Sequence, residues 1–226
     1  MTEQEIRKEL LVAKESTYSK LEIYKKKFRS LVLRSSSFPV SAFYECTTQN
    51  GNTVIVGLNA LKRGQHSEPN IGLYCIYERR EGRYAAVWSL GDKIIIYAPH
   101  FFDRYQERIL QNNSLQRNEV IKEFFRHNWG QVGLEINDEV EAVFKCFEGH
   151  YNDEVISLVY AVSDGYCFGE NHDNVSIVKT IITEEMLSDK QRQLFPAIRE
   201  SFIQANRILY GSRWPISYIQ IFSIRN

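Results

Sequence analysis

Hydrophobic and polar residues alternate with two different periods along the chain, and each period predicts its own type of element. Near the amino terminus, apolar and aromatic residues recur every three or four positions, which predicts one long amphipathic helix. Thr2 and Glu5 match the capping-box pattern of a helix start, and the helix is expected to end near Arg34. Its apolar stripe consists of Leu10, Thr17, Leu21, Tyr24, Phe28 and Leu31.

Segments that alternate between apolar and polar residues follow this helix, and turn residues such as Asn50 and Gly51 separate them. Such alternation, interrupted by turn residues, is typical of an antiparallel meander. Four or five strands are expected, at residues 40–48, 53–59, 71–80, 84–90 and 93–98.

The second half of the chain predicts two helices before further strands. Pro99 suits the first turn of a helix that carries His100. Asn113 and Gln116 mark the start of a second helix, which Gly130 ends. A second meander is expected at residues 141–147, 155–162, 166–169 and 175–182, before a helical region over residues 183–209 and an extended end at residues 214–222.

These elements predict an α+β fold with mainly antiparallel sheets, a long N-terminal helix, a central helix pair and a C-terminal helical region. Three regions follow from this order. Residues 1–37 hold the N-terminal helix, residues 38–98 the first meander, and residues 99–226 the helix pair, the second meander and the C-terminal helix. The pattern leaves open whether the two meanders join, which would make the chain one continuous domain.

Composition narrows the class of protein. The chain has 226 residues, of which 43% are hydrophobic, enough for one substantial core or two modest ones. Lys plus Arg equal Asp plus Glu at 28 each, so any anion-binding site must be local. No apolar run is long enough to span a membrane, and no leader pattern follows Met1. We therefore expect a soluble, cytoplasmic protein that does not contact a membrane.

The chain lacks the sequence patterns of several enzyme classes. It has no HExxH, GxxxxGK[ST], GxGxxG or GxSxG motif. The cysteines are far apart within apolar segments, which favours buried, reduced thiols over a metal site or a disulfide. We therefore expect neither a metal nor a cofactor. The four cysteines are Cys46, Cys75, Cys146 and Cys167.

The candidate catalytic and binding residues lie between residues 97 and 108. On a helix, His100, Arg104 and Arg108 recur every four residues and would form one polar stripe beside an apolar one. An imidazole that titrates near neutral pH, next to two permanent cations, suits the binding or the chemistry of a phosphate group. Tyr97 and Tyr105 would add hydroxyls or surfaces on which bases stack. The stripe is thus a candidate catalytic site for the metal-independent cleavage of RNA.

The order of elements around this stripe resembles a known group of proteins. A strand, the His-x-x-x-Arg-x-x-x-Arg helix, a second helix with an Asn-Glu-Val start and a meander over residues 164–182 resemble the RelE-like, barnase/EndoU/colicin-type superfamily of bacterial ribonuclease toxins. The resemblance covers residues 94–186. It implies a metal-independent ribonuclease, or a descendant of one, that acts on RNA and is held in check by a partner. His100 would match the family's helix histidine, with Arg104 and Arg108 as its following arginines.

A second polar cluster lies at residues 169–174. Its His172 is the candidate for the second proton carrier or RNA-binding group, and with Glu170 and Asp173 it would bind a cation. The alternative is a solvated turn, since Asn and Asp suit turns for backbone reasons. The stripe has a structural alternative too, in which Arg104 and Arg108 pair with neighbouring carboxylates.

Two classes of function follow from these features. The first is an RNA-directed domain, active or degenerate, with His100 at its cleft. The second is a non-catalytic protein-interaction module, in which the N-terminal helix and the aromatic C-terminal tail contact a partner or a second copy of the chain. A concave basic patch around His100 favours the first; a flat apolar patch near Tyr24, Phe28 and Trp214 favours the second.

Overall fold

The described residues form a ten-stranded sheet with helices packed on both faces. The predicted α+β class, with a long N-terminal helix and mainly antiparallel strands, is confirmed. No helix in the described part of the chain is long and apolar enough to cross a membrane. The computed structural model describes residues 3–80, 82–88, 93–128, 130–135, 158–172, 174–189, 191–193, 195–196, 199–200, 203–204 and 218–221.

The first half of the chain contains one long helix and five strands, as its periodicity predicts. Helix α1 ends at Arg34, the expected position, and the strands follow the expected order. The elements are α1 (Glu3–Arg34), β1 (Val40–Thr47), β2 (Thr53–Ala60), a 3₁₀ turn (Arg63–His66), β3 (Asn70–Arg79), β4 (Gly82–Trp88) and β5 (Ile94–Tyr97).

The second half contains two short helices and then the remaining strands. Helix α2 does not continue as an α-helix but runs directly into one π-helical turn. The elements are α2 (Pro99–Tyr105), the π turn (Gln106–Leu110), α3 (Arg117–His127), β6 (Gly130–Glu135), β7 (Leu158–Val162), β8 (Gly165–His172), β9 (Val175–Ile182), a 3₁₀ turn (Glu184–Met186) and β10 (Tyr218–Ile221).

The two meanders join in a single sheet whose strand order is β1-β2-β3-β4-β5-β9-β8-β7-β6-β10. The joint is the parallel pairing of β5 with β9, in which Ile94 lies opposite Val175 and Tyr97 opposite Val178. At one edge β10 pairs with β6, also in parallel, and every other neighbouring pair in this order is antiparallel.

Helix α1 covers the face of the sheet formed by the first meander. Its buried side chains recur at three- to four-residue steps, and Phe28 and Val32 are completely buried. Leu31, expected in this stripe, is instead 47% exposed, because the four-residue step from Phe28 places Val32 over the sheet. The buried apolar residues of α1 are Ile6, Leu10, Ala13, Phe28 and Val32.

Helices α2 and α3 cover the opposite face, where aromatic rings form the core. Tyr97, the last residue of β5, is fully buried among phenylalanine rings of both helices. Its ring centroid lies 5.2 Å from Phe101, 5.2 Å from Phe124 and 5.3 Å from Phe125, in tilted or edge-on arrangements that aromatic pairs prefer. This packing fixes both helices at the end of β5.

The structure differs from the prediction after α3. The helix ends at His127, and the Asn128 amide donates to the Phe124 carbonyl, so Gly130 begins β6 instead of ending the helix. The strand expected at residues 141–147 lies outside the described residues. The region 183–209, expected to be helical, contains a 3₁₀ turn and further helical residues in its described parts.

The chain end and the cysteines agree with the sequence pattern where the structure describes them. The extended end expected at residues 214–222 contains strand β10. Cys46, Cys75 and Cys167 are buried free thiols. Burial raises the pKa of the Cys75 thiol to about 12, so this thiol remains protonated near neutral pH.

Strand β9 carries a bulge beside β8. Phe168 lies opposite Thr180, whereas Gly169 lies opposite Val178, so Lys179 is the extra residue. A bulge redirects side chains, and this one requires close approach of the two backbones. A Cβ atom on Gly169 would lie only 2.0 Å from the Ile177 carbonyl oxygen, which is far inside contact distance. Glycine at position 169 therefore permits the bulge that sets the direction of Lys179.

Replacing Gly169 with Ala should destabilise the protein, because the strands must separate to accommodate the methyl group. We expect the free energy of unfolding, measured by urea denaturation, to fall by about 2 kcal/mol or more. Gly64→Ala is the matched control, since a Cβ on Gly64 meets no atom within 4 Å. Similar stabilities for the two variants would contradict a close approach at Gly169.

Candidate functional site

The stripe expected from the sequence is interrupted: His100 and Arg104 lie four residues apart in helix α2, whereas Arg108 lies in the π turn. The π turn changes the helical period after Tyr105, so Arg108 is not one α-helical turn beyond Arg104. Arg108 donates to Thr180 Oγ1 at 3.3 Å and to the Ile181 carbonyl at 3.0 Å, which ties the π turn to β9. These bonds give Arg108 a structural contact with the sheet.

The other members of the predicted site differ in their partners and in their exposure. Arg104 forms a surface ion pair with Glu107, with Nη1 3.0 Å from Oε2. Tyr97 and Tyr105 are completely buried, so neither ring offers a face on which a base could stack. His100 is exposed, one residue into α2. His100 also borders a cavity.

This cavity, the His100–Lys179 pocket, has a volume of about 290 Å³. It lies between the amino-terminal part of α1 and the strands β3, β4, β5 and β9. Its volume is at the lower end of the range of small-molecule sites, about 300–1,000 Å³. The residues that line it are Ile6, Tyr77, Tyr84, Ala86, Ile96, Ala98, His100, Ile177 and Lys179.

The central parallel strands bring the two ionisable nitrogen groups of the pocket together. The Ala98 amide donates to the Val178 carbonyl at 3.0 Å, which extends the β5–β9 pairing by one residue. His100 follows Ala98 by two residues, at the start of helix α2, and Lys179 follows Val178 directly in β9. Loops or helices that leave the carboxyl ends of parallel strands often build ligand sites in this way.

Among the described residues that line the pocket, Lys179 is the one with a permanent charge. Its Nζ atom pairs with Glu170 Oε1, and the two side chains are only 17% and 19% exposed. The other oxygen of this carboxylate, Oε2, lies 3.1 Å from His172 Nε2. Burial raises the pKa of Glu170, but hydrogen bonds from Lys179 and His172 outweigh burial and hold it below its ordinary value of 4.5.

The sequence contains a signal for Lys179 that the spacing of the His100 stripe does not reveal. It is the one charged residue of strand β9, whose sequence is VSIVKTII. A charged residue within an apolar strand is costly to bury unless it has a partner or a role. His172, predicted as a second proton carrier, is exposed and connects to the pocket through Glu170. The structure therefore brings His172 into the same polar row as Lys179.

A second group of ionisable residues, the His127 cluster, joins α2, α3 and the β7–β8 turn. Asp164 Oδ2 accepts hydrogen bonds from Tyr105 Oη at 2.6 Å and from Asn128 Nδ2 at 2.8 Å. His127 Nδ1 lies 3.5 Å from the same oxygen. The Asp164 amide donates to Asn128 Oδ1 at 3.0 Å. The cluster therefore fastens the β7–β8 turn to the end of α3.

Sequence reasoning assigns no role to His127, and no spacing rule joins it to Asp164, 37 positions later in the chain. The hydrogen bond to Asp164 raises the pKa of His127 above 6.5, with partial burial opposing this effect. Burial raises the pKa of Asp164, but hydrogen bonds from His127, Tyr105 and Asn128 lower it below 3.8 overall. The cluster keeps its carboxylate ionised and favours a charged imidazole.

The surface expected for a protein-interaction module is only partly present. Phe28 is buried against the sheet, and the Tyr24 ring stacks on Tyr44 with centroids 4.6 Å apart. Trp214 lies outside the described residues. Phe28 therefore contributes nothing to the expected flat apolar patch, and Tyr24 contributes a ring that is already stacked on Tyr44. Other apolar side chains of α1 are exposed, namely Leu11, Tyr18, Ile23, Leu31 and Leu33.

Two further findings bear on the kind of site. Within the ranges that the structure describes, no group of three or more His, Cys, Asp and Glu side chains could hold a metal ion. No family model matches the chain, and no curated protein or solved structure matches it either.

The His127 cluster makes the stability of the fold depend on pH. Because the folded protein raises the pKa of His127, this stabilisation is complete below 6.5 and is lost as pH rises through the folded value. Because it lowers the pKa of Asp164, that contribution is present above 3.8 and is lost as pH falls through the folded value. The pair therefore contributes most between these limits.

His127→Gln should cost stability mainly under mildly acidic conditions. We expect the free energy of unfolding to fall by up to about 1 kcal/mol at about pH 5.5, because solvent screens this half-exposed ring, and by less at about pH 8.5. Urea unfolding at both pH values measures this. His66→Gln is the control, since that ring bonds the neighbouring Ser67 hydroxyl. Equal losses for His127→Gln at both pH values would contradict the linkage.

Proposed function

We propose that the protein is an RNA-directed domain that holds one phosphate of a nucleotide chain in the His100–Lys179 pocket. The observation that carries this proposal is the convergence of an imidazole and an ammonium group on one cavity. Both groups donate hydrogen bonds to phosphate oxygens, and charge-assisted bonds of this kind are the stronger ones. The proposal keeps His100 from the predicted stripe and replaces its two arginines with Lys179.

The remaining walls of the pocket suit the other parts of a nucleotide. Tyr77 and Tyr84 line it, together with aliphatic residues from α1 and the sheet. Apolar and aromatic walls accept a ribose or a base, whereas His100 and Lys179 accept the phosphate. A volume of about 290 Å³ restricts the bound group to about one nucleotide. Single-stranded RNA, whose bases are accessible, is therefore the form that we propose as ligand.

His100 and Lys179 also define the chemistry by which the domain would cleave RNA. Metal-independent cleavage needs a proton carrier at the ribose 2′-hydroxyl and a cation beside the phosphorane. We assign the first role to His100 and the second to Lys179. His172, one hydrogen bond beyond Glu170, is the candidate for the second proton carrier. The resemblance of residues 94–186 to ribonuclease toxins supports the role of His100 alone, and binding without cleavage corresponds to a degenerate member.

Lys179→Met and His100→Gln should each weaken the binding of a fluorescent single-stranded RNA by about tenfold, because each removes a charged or polar donor to phosphate. Fluorescence anisotropy measures this loss. The logarithm of the binding constant should change with the logarithm of salt concentration with a slope of about −1, since one or two phosphates are neutralised. A slope several times steeper would indicate a different, extended surface.

Arg104→Gln is the matched control, because Arg104 lies on the same helix as His100 but pairs with Glu107 at the surface. We expect it to change the affinity by less than about twofold. The circular dichroism spectrum and melting temperature of each variant should match those of the parent. A loss for Arg104→Gln as large as for Lys179→Met would reject the pocket as the site. Cleavage by the parent, lost in His100→Gln, would add catalysis to binding.

A further inference from the structure

Glu170 forms an ion pair with Lys179, the cation of the pocket, although Glu170 itself does not line the cavity. Its Oε1 atom pairs with Lys179 Nζ, and both side chains are largely buried. Its second oxygen accepts from His172, so the carboxylate is held from two sides. These bonds keep Glu170 ionised and close to the place where a phosphate would contact Lys179.

The charges around the pocket are therefore nearly balanced. Lys179 contributes one positive charge and Glu170 one negative charge, whereas His100 and His172 each add a positive charge only when they are protonated. A ligand with one negative charge meets a neutral to weakly positive site. A second negative charge on the ligand meets no further permanent cation among the lining residues that the structure describes, and Glu170 repels it.

We propose that Glu170 determines the charge specificity of the His100–Lys179 pocket, selecting the phosphodiester link within an RNA chain over the terminal phosphate of a free nucleotide. A phosphodiester carries one negative charge at every pH near neutrality. A terminal phosphate carries up to two, because its second pKa is about 6. This inference rests on the proposed function, since it concerns the same pocket, and it names internal links of a chain as the substrate class.

The carboxylate is also fixed in position, which makes its repulsion effective. Glu170 lies opposite Ile177 in the β8–β9 ladder, next to the bulge that carries Lys179. Solvent screens the negative charge of a rigid, partly buried carboxylate poorly. Such a carboxylate therefore discriminates between singly and doubly charged ligands more strongly than a mobile surface residue. We expect a preference of about tenfold or more for the singly charged ligand.

Isothermal titration with two matched ligands tests this. One is the dinucleoside monophosphate uridylyl-uridine, which has an internal phosphodiester and no terminal phosphate; the other is uridine 5′-monophosphate. The adenosine equivalents control for the base. At about pH 8 the parent protein should bind the dinucleotide about tenfold or more tightly than the mononucleotide. In Glu170→Gln the preference should fall to about twofold, mainly through tighter binding of the mononucleotide.

Glu68→Gln, in the exposed loop before β3, is the matched control and should retain the preference of the parent. An unchanged preference in folded Glu170→Gln would overturn the role of Glu170 while leaving the proposed function in place. Absence of saturable, Lys179-dependent binding of any of these ligands to the parent would overturn the proposed function itself.

A second measurement requires no variant at position 170, in case its loss disturbs folding. The phosphodiester keeps its single charge between about pH 5 and pH 8, so its affinity reports the titration of the protein alone. The affinity of the mononucleotide relative to the dinucleotide should fall about tenfold as its phosphate loses the second proton over this range. A ratio that stays constant would overturn the proposal.

Discussion

The hydrogen bonds between β5 and β9 are the constraint on which the rest of the structure depends. Each strand belongs to a separate antiparallel meander, and their parallel pairing joins the two into one sheet. Because both strands run in the same direction, whatever follows them emerges at the same end. Helix α2 therefore begins beside the bulge of β9, and His100 and Lys179 share one pocket although 79 positions separate them in the chain.

Much of the fold could be predicted from the sequence because it depends on local patterns. The end of α1 at Arg34 coincides with the onset of a serine-rich segment, and β9 occupies Val175–Ile182 as its apolar run indicates. Glycine, proline and asparagine mark most of the turns. The start of β6 at Gly130 is less accessible to such reasoning, since glycine after a helix is equally typical of a helix end. There the pairing with β7 decides the outcome.

The site could be predicted only in part, because its geometry depends on contacts between distant segments. The spacing of residues along one helix or strand does not describe such contacts. His100 is found at the border of a cavity, but the π turn separates Arg108 from it. A four-residue period assumes a regular α-helix, and nothing in residues 106–110 announces the wider turn. Lys179 becomes part of the site through a register shift against Phe168 and Gly169. The residue types were visible in the sequence, whereas their convergence follows from the pairing of distant strands.

The energetics of the Lys179–Glu170 pair argue that it serves more than stability. Removing two charges from water is costly, and buried ion pairs can often be replaced by apolar residues without loss of stability. Strand β9, which carries Lys179, is otherwise rich in apolar residues, so an apolar side chain at position 179 would be compatible with that strand. The charged pair instead provides a cation and a fixed anion at the end of a cavity with mainly apolar walls. In such a setting, where water screens charges weakly, a single carboxylate is sufficient to decide which ligands the cation accepts.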